Sequence, residues 1–82
     1  MDVDELVAEE LSALFRARGE RPVLAPESTL RELGFRSIDF AAIALRVEER
    51  VGRELDFGSG DLTSGLATVA DLQTYFRSVL AE

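Results

Sequence analysis

Cysteine, histidine and lysine are all missing from this chain of 82 residues, and only two prolines interrupt it. Without cysteine there is no disulfide framework and no thiol chemistry, so redox usage says nothing about compartment. Without histidine and lysine the usual general bases, Schiff-base amines and nitrogen metal ligands are gone. A serine triad lacks its proton acceptor, and a phosphate-binding P-loop lacks its lysine. This residue set argues against an enzyme with catalytic residues of its own, and it offers no metal-ligand pattern. Also missing is any apolar run near the roughly 18 residues of a membrane span, and no secretory h-region opens the chain, so the cytoplasm is the expected location. Positive charge is scarce too. The formal net charge is −7 and every basic residue is arginine, which disfavours nucleic acid and anionic membranes and favours basic partners.

What remains is hydrophobic material and helical spacing. With 46% hydrophobic residues the chain can build one core, and residues 1–82 read as a single domain. A domain this small buries only about 60% of its unfolded surface. Its stability should lie near 4–12 kcal/mol, roughly.

Residues Val3 to Arg18 place Leu6, Val7, Leu11, Leu14 and Phe15 on one helical face. Asp2, Asp4 and Glu5 crowd the first turn, where the helix dipole favours anions; with Glu9 and Glu10 they read as a solvated acidic start. Gly19 is placed to end the helix. Glu20 to Ser28 holds both prolines, Pro22 and Pro26, and no amphipathic period, so it reads as a long surface connection. Thr29 and Glu32 have capping-box spacing ahead of Gly34, which predicts one short helical turn. After the next helix, Leu55 and Phe57 alternate as apolar anchors, and Gly58 to Leu62 reads as a flexible stretch that includes room for a turn of helix. Asp56 to Asp61 matches a calcium loop poorly, because glycines fill two ligand positions. The last helix starts at Thr68, with Asp71 as its box partner, and Val69, Leu72, Tyr75, Phe76 and Leu80 form its inner face. Four helical segments, three longer and one short, predict an all-α, small antiparallel four-helix bundle.

The segment from Ser37 to Gly52 carries the functional signal. Stepping about 100° per residue, Phe40, Ile43, Ala44, Val47 and Val51 gather on one side as a core face. Ile38, Ala41, Ala42 and Leu45 gather on the opposite side, flanked by Asp39, Arg46, Glu48 and Glu49. A helix in so short a chain is rarely buried all round. The second stripe is therefore either a docking surface with a charged rim or a face covered by another part of the chain. Ser37 likewise has two readings. Its hydroxyl could be the N-cap of this helix. Alternatively it has a special role, since a helix start tolerates an anion such as a phosphate ester. Unlike Thr29 and Thr68, it has no acidic residue three positions on.

The run Leu33-Gly34-Phe35-Arg36-Ser37-Ile38 resembles the hallmark of acyl and peptidyl carrier proteins, a leucine-glycine pair, two further residues, then a serine and a leucine or isoleucine that open a long second helix. The likeness extends through Thr29-Leu30 before it, and through Val47 to Gly52 and Thr68 to Leu72 after it. This resemblance implies the carrier-protein type of four-helix bundle. It implies that Ser37 receives 4′-phosphopantetheine from coenzyme A through a phosphopantetheinyl transferase, and that acyl or aminoacyl groups then ride on the arm as thioesters. It further implies partners of three kinds: the transferase, an acyl- or aminoacyl-loading enzyme, and downstream synthase or tailoring enzymes. The matching docking positions are Arg36, Ile38, Asp39, Ala41, Ala42, Leu45, Glu48 and Glu49. Two positions depart from the family pattern. Arg36 stands where aspartate is usual, and Ala42 stands where a glutamate is common, which points to a specialised polyketide or nonribosomal pathway. A carrier-shaped adaptor that is never modified and binds partners through the second helix is the alternative.

Overall fold

The computed structural model describes residues 2–55 and 65–81. Among these residues the chain forms three helices, α1 (Val3–Ala17), α2 (Ser37–Val51) and α3 (Val69–Leu80), and no strand. Phe57, the glycine-rich stretch and the calcium-loop reading fall outside the described residues.

Each helix begins and ends where its sequence supplies the missing backbone partners. At α1, the Asp2 side chain accepts from the Glu5 amide. At its far end the amides of Gly19 and Glu20 return to the carbonyls of Arg16 and Phe15, the paired closure that a left-handed glycine permits. Thr68 and Asp71 cap α3 reciprocally. The Asp71 amide donates to Thr68 Oγ1 at 3.1 Å, and Asp71 Oδ2 accepts from the amides of Thr68 and Ala67 at 3.1 and 3.0 Å. Those hydrogen bonds, first from Ala67 and then from Thr68, hold the Asp71 carboxyl below its ordinary value of 3.8, because they favour the ionised form.

At the segment read as one short helical turn, the Leu33 amide donates to the Thr29 carbonyl at 3.2 Å. Residues 30–34 form a single hydrogen-bonded turn. The Glu32 amide donates to Thr29 Oγ1, but Gly34, at φ +73°, closes the turn after one revolution. The amides of Gly34 and Phe35 bond back to Arg31 and Leu30, so nothing propagates. The turn is anchored from outside instead. Thr29 and Thr68 form an isolated antiparallel bridge, with the Leu30 amide on the Ala67 carbonyl and the Val69 amide on the Ser28 carbonyl, 2.9 and 3.0 Å. This stitch brings the loop before α3 against the turn before α2.

The core follows the faces the spacing predicts, except that on α3 the buried residue near the end is Val79, which the spacing does not pick out. Leu6, Val7, Leu11 and Phe15 of α1, Phe40, Ile43, Ala44 and Val47 of α2, and Val69, Leu72, Phe76 and Val79 of α3 are buried together with Leu30. Leu14, Leu33, Val51, Tyr75 and Leu80 pack on its edge. The backbone of α1 lies against both other helices, whereas α2 and α3 meet through rings: Phe40 stacks on Phe76 at 5.8 Å and meets Tyr75 edge-on at 5.6 Å.

Two acids depart from the expected placement. Glu10, read as part of a solvated helix start, is 5% exposed. It ion-pairs with Arg46 at 3.3 Å and Arg50 at 3.5 Å, while Glu9 takes the other arm of Arg50 at 3.1 Å. Because residues 9 and 10 meet 50 and 46, while Arg18 meets Asp39, α1 and α2 run antiparallel. The second acid is Asp39 itself, which lies at the site described next.

Candidate functional site

Ser37 opens α2, and the residues around it fix how. After the left-handed Gly34, Arg36 is extended and occupies the cap position at φ −126°, ψ 175°. The carbonyl of Arg36 accepts from the amides of Asp39 and Phe40 at 2.9 and 3.0 Å. In return, Asp39 Oδ2 accepts from the Arg36 amide at 2.9 Å. Ser37 therefore sits one position inside the helix, which corrects the N-cap reading of its hydroxyl. Among the described residues the Ser37 hydroxyl makes no hydrogen bond, and the residue is exposed.

Asp39 is the second correction. The helical wheel places it on the water-facing rim, but it is 3% exposed, and its Oδ1 pairs with Arg18 Nη2 at the end of α1. Arg18 in turn lies over the Phe15 ring, 5.8 Å from its centre, a cation–π distance. One carboxylate thus caps α2 and clamps it to α1. Spacing along the chain gives no sign of this, since residues 18 and 39 become neighbours only once the two helices pack.

The remaining docking candidates divide. Ile38 and Leu45 are 70% and 58% exposed, Ala41 and Ala42 are exposed beside them, and among the described residues no segment covers them. Glu49 and Arg36 are also exposed. Glu48 is half-buried and turned toward the chain itself, its Oε2 accepting from the Leu55 amide at 2.8 Å. The apolar strip continues sideways into a groove of about 330 Å³ between α1 and α2, lined by Ala13, Leu14 and Ala17 together with Ala42, Ile43 and Leu45.

Beside Ser37 lies a further groove of about 360 Å³, lined by Leu30, Phe35 and Leu66, with Arg31 and Arg36 as its charged residues. Leu66 reaches it because of the Thr29–Thr68 stitch. Neither Arg31 nor Leu66 stands out in the sequence as a site residue; Leu66 is a lone leucine between glycine and alanine, and nothing in its spacing marks it. The surroundings suit an anion on the Ser37 oxygen. The Ser37 and Ile38 amides, at the first two helical positions, have no acceptor among the described residues, and the helix dipole and two arginines act in the same direction.

No family model, curated protein or solved structure matches the chain. No helix among the described residues is long and apolar enough to cross a membrane, and no group of three or more acidic side chains is placed among them to hold a metal ion.

Proposed function

We propose that the chain is a discrete acyl or aminoacyl carrier protein whose Ser37 bears 4′-phosphopantetheine. The observation that supports this most is the division of labour at the start of α2. Asp39 supplies the capping carboxylate, which leaves the Ser37 hydroxyl exposed and uncommitted at the edge of an open groove. In the attachment step, Ser37 Oγ attacks the phosphorus of coenzyme A that carries the pantetheine. The new Oγ–P bond replaces the pyrophosphate bridge, the adenosine bisphosphate departs, and the hydroxyl proton passes to a base of the transferase. When bound, the arm supplies the thiol that this cysteine-free chain lacks, and that thiol can hold acyl or aminoacyl groups as thioesters.

This chain's own part is positional. The Ser37 and Ile38 amides, Arg31 and Arg36 surround the place where a phosphodiester would sit, so the residues fit the group. The Asp39–Arg18 clamp keeps that helix start from fraying. Ile38, Ala41, Ala42 and Leu45 offer the landing strip for the transferase, the loading enzyme and downstream polyketide or nonribosomal enzymes of the cytoplasm. No catalytic residue of its own is required.

The exposure of Ile38 and Leu45 also favours a second reading, an unmodified helical adaptor that binds partners through α2. Incubation with coenzyme A and a broad-specificity transferase separates the two. The carrier gains the mass of one phosphopantetheine on the native chain and none on Ser37→Ala. An adaptor gains mass on neither and keeps its partner after the substitution.

A further inference from the structure

We propose that the surface around Ser37 receives a partner face that is apolar at its centre and acidic at its rim, although the chain as a whole carries a net charge of −7. The bulk charge predicts basic partners. The local charge predicts the reverse. Between Arg36 and Leu45 the sequence contains a single acid, Asp39, and that acid is buried against Arg18. The exposed face of this half of α2 therefore presents Arg36, Ser37, Ile38, Ala41, Ala42 and Leu45, with no outward carboxylate.

Farther along, Arg46 and Arg50 are occupied by Glu10 and Glu9 and Glu48 is turned to the Leu55 amide, so the outward carboxylate of α2 is Glu49, one turn beyond Leu45 at the end of the strip away from Ser37. The charges left at the Ser37 end are Arg31 and Arg36, which share its groove and have no ion-pair partner among the described residues, against Glu32 on the preceding turn. Buried apolar contact would supply most of the affinity, and the two arginines would select the sign of the rim, because like charges brought together at an interface are penalised. This surface sharpens the partner named in the carrier reading, but it belongs to the unmodified chain and needs no arm.

The test uses the ¹⁵N-labelled full-length apo chain and two synthetic amphipathic helical peptides with the same apolar face, one flanked by glutamates and one by lysines. The glutamate peptide should shift the amides of Arg36, Ile38, Ala41, Ala42 and Leu45. Its affinity should fall roughly tenfold in an Arg31→Glu, Arg36→Glu double variant, from the reversal of two exposed charges, and by less in Arg31→Gln, Arg36→Gln. Neither the Arg31 nor the Arg36 side chain has an ion-pair partner among the described residues, and Arg36 makes no side-chain cap bond, so the dispersion of the spectrum should not change. Three results would overturn the proposal: the lysine peptide shifting those amides as strongly, the glutamate peptide leaving them unmoved, or the charge-reversed variant binding it undiminished. Because no coenzyme A is present, none of these outcomes bears on whether Ser37 is modified.

Discussion

Asp39 is the residue on which the geometry of the Ser37 end turns. One carboxylate oxygen caps α2 through the Arg36 amide, and the other pairs with Arg18 across to α1. Removing it leaves a partly buried arginine without its partner and an uncapped helix start, so Asp39→Ala should destabilise the chain by about 1.5–3 kcal/mol. Asp39→Asn, which can still accept from the Arg36 amide, should lose less. Urea unfolding of the two variants measures the difference, and equal losses would show that the cap contributes nothing. This clamp also marks where reading along the chain stops. The motif around Ser37 and its exposure are legible, since a hydroxyl ahead of an apolar period is a local signal. The direction of Asp39 is not, because on a wheel it lies beside the water-facing stripe and only the approach of Arg18 turns it inward. Glu10 escapes a sequence reading for the same reason: an acid among acids looks solvated until Arg46 and Arg50 arrive from the other helix.

At the scale of the element, α2 has two faces with opposite tolerances. Val47 is fully buried whereas Leu45 is 58% exposed, although both are large aliphatic residues two positions apart. Val47→Ala should cost about 1–3 kcal/mol through a cavity in the core. Leu45→Glu should leave helicity and melting temperature nearly unchanged and weaken turnover by partner enzymes. Circular dichroism melts beside a loading assay check both, and a Leu45→Glu chain that loses helicity would mean the faces are assigned the wrong way round. Periodicity makes these faces readable because each helix repeats its apolar positions over several turns. The Thr29–Gly34 segment stops at a single turn because capping signals say where a helix can begin, while too few residues follow before Gly34 to sustain one.

The cap of α3 adds a dependence on pH. The Asp71 carboxyl is held below its ordinary value of 3.8 by the amides of Ala67 and Thr68. In acid the unfolded chain therefore binds this proton before the folded chain does, and the stabilisation, fully present above that ordinary value, is lost as pH falls through the lowered one. Asp71→Asn should flatten this part of the stability profile below about pH 4. If the native chain and the Asp71→Asn variant lose stability in parallel on acidification, the cap is not the source.

At the scale of the whole molecule, the described residues form three helices and a stitched turn, a scaffold that fixes one end of α2 and among those residues leaves its outer strip open. The bridge between Thr29 and Thr68 draws the ends of two loops together and sets Leu66 beside Ser37, so the site is assembled from two separate stretches of chain. On the carrier reading proposed above, the thiol that this cysteine-free chain lacks would come from the arm on Ser37. The most direct measurement is peptide-level mass spectrometry on the chain purified from cells that make it. Phosphopantetheine carried on the peptide containing Ser37, and absent from the Ser37→Ala chain, is the predicted result. Bare polypeptide from cells in which the pathway nevertheless runs would contradict it.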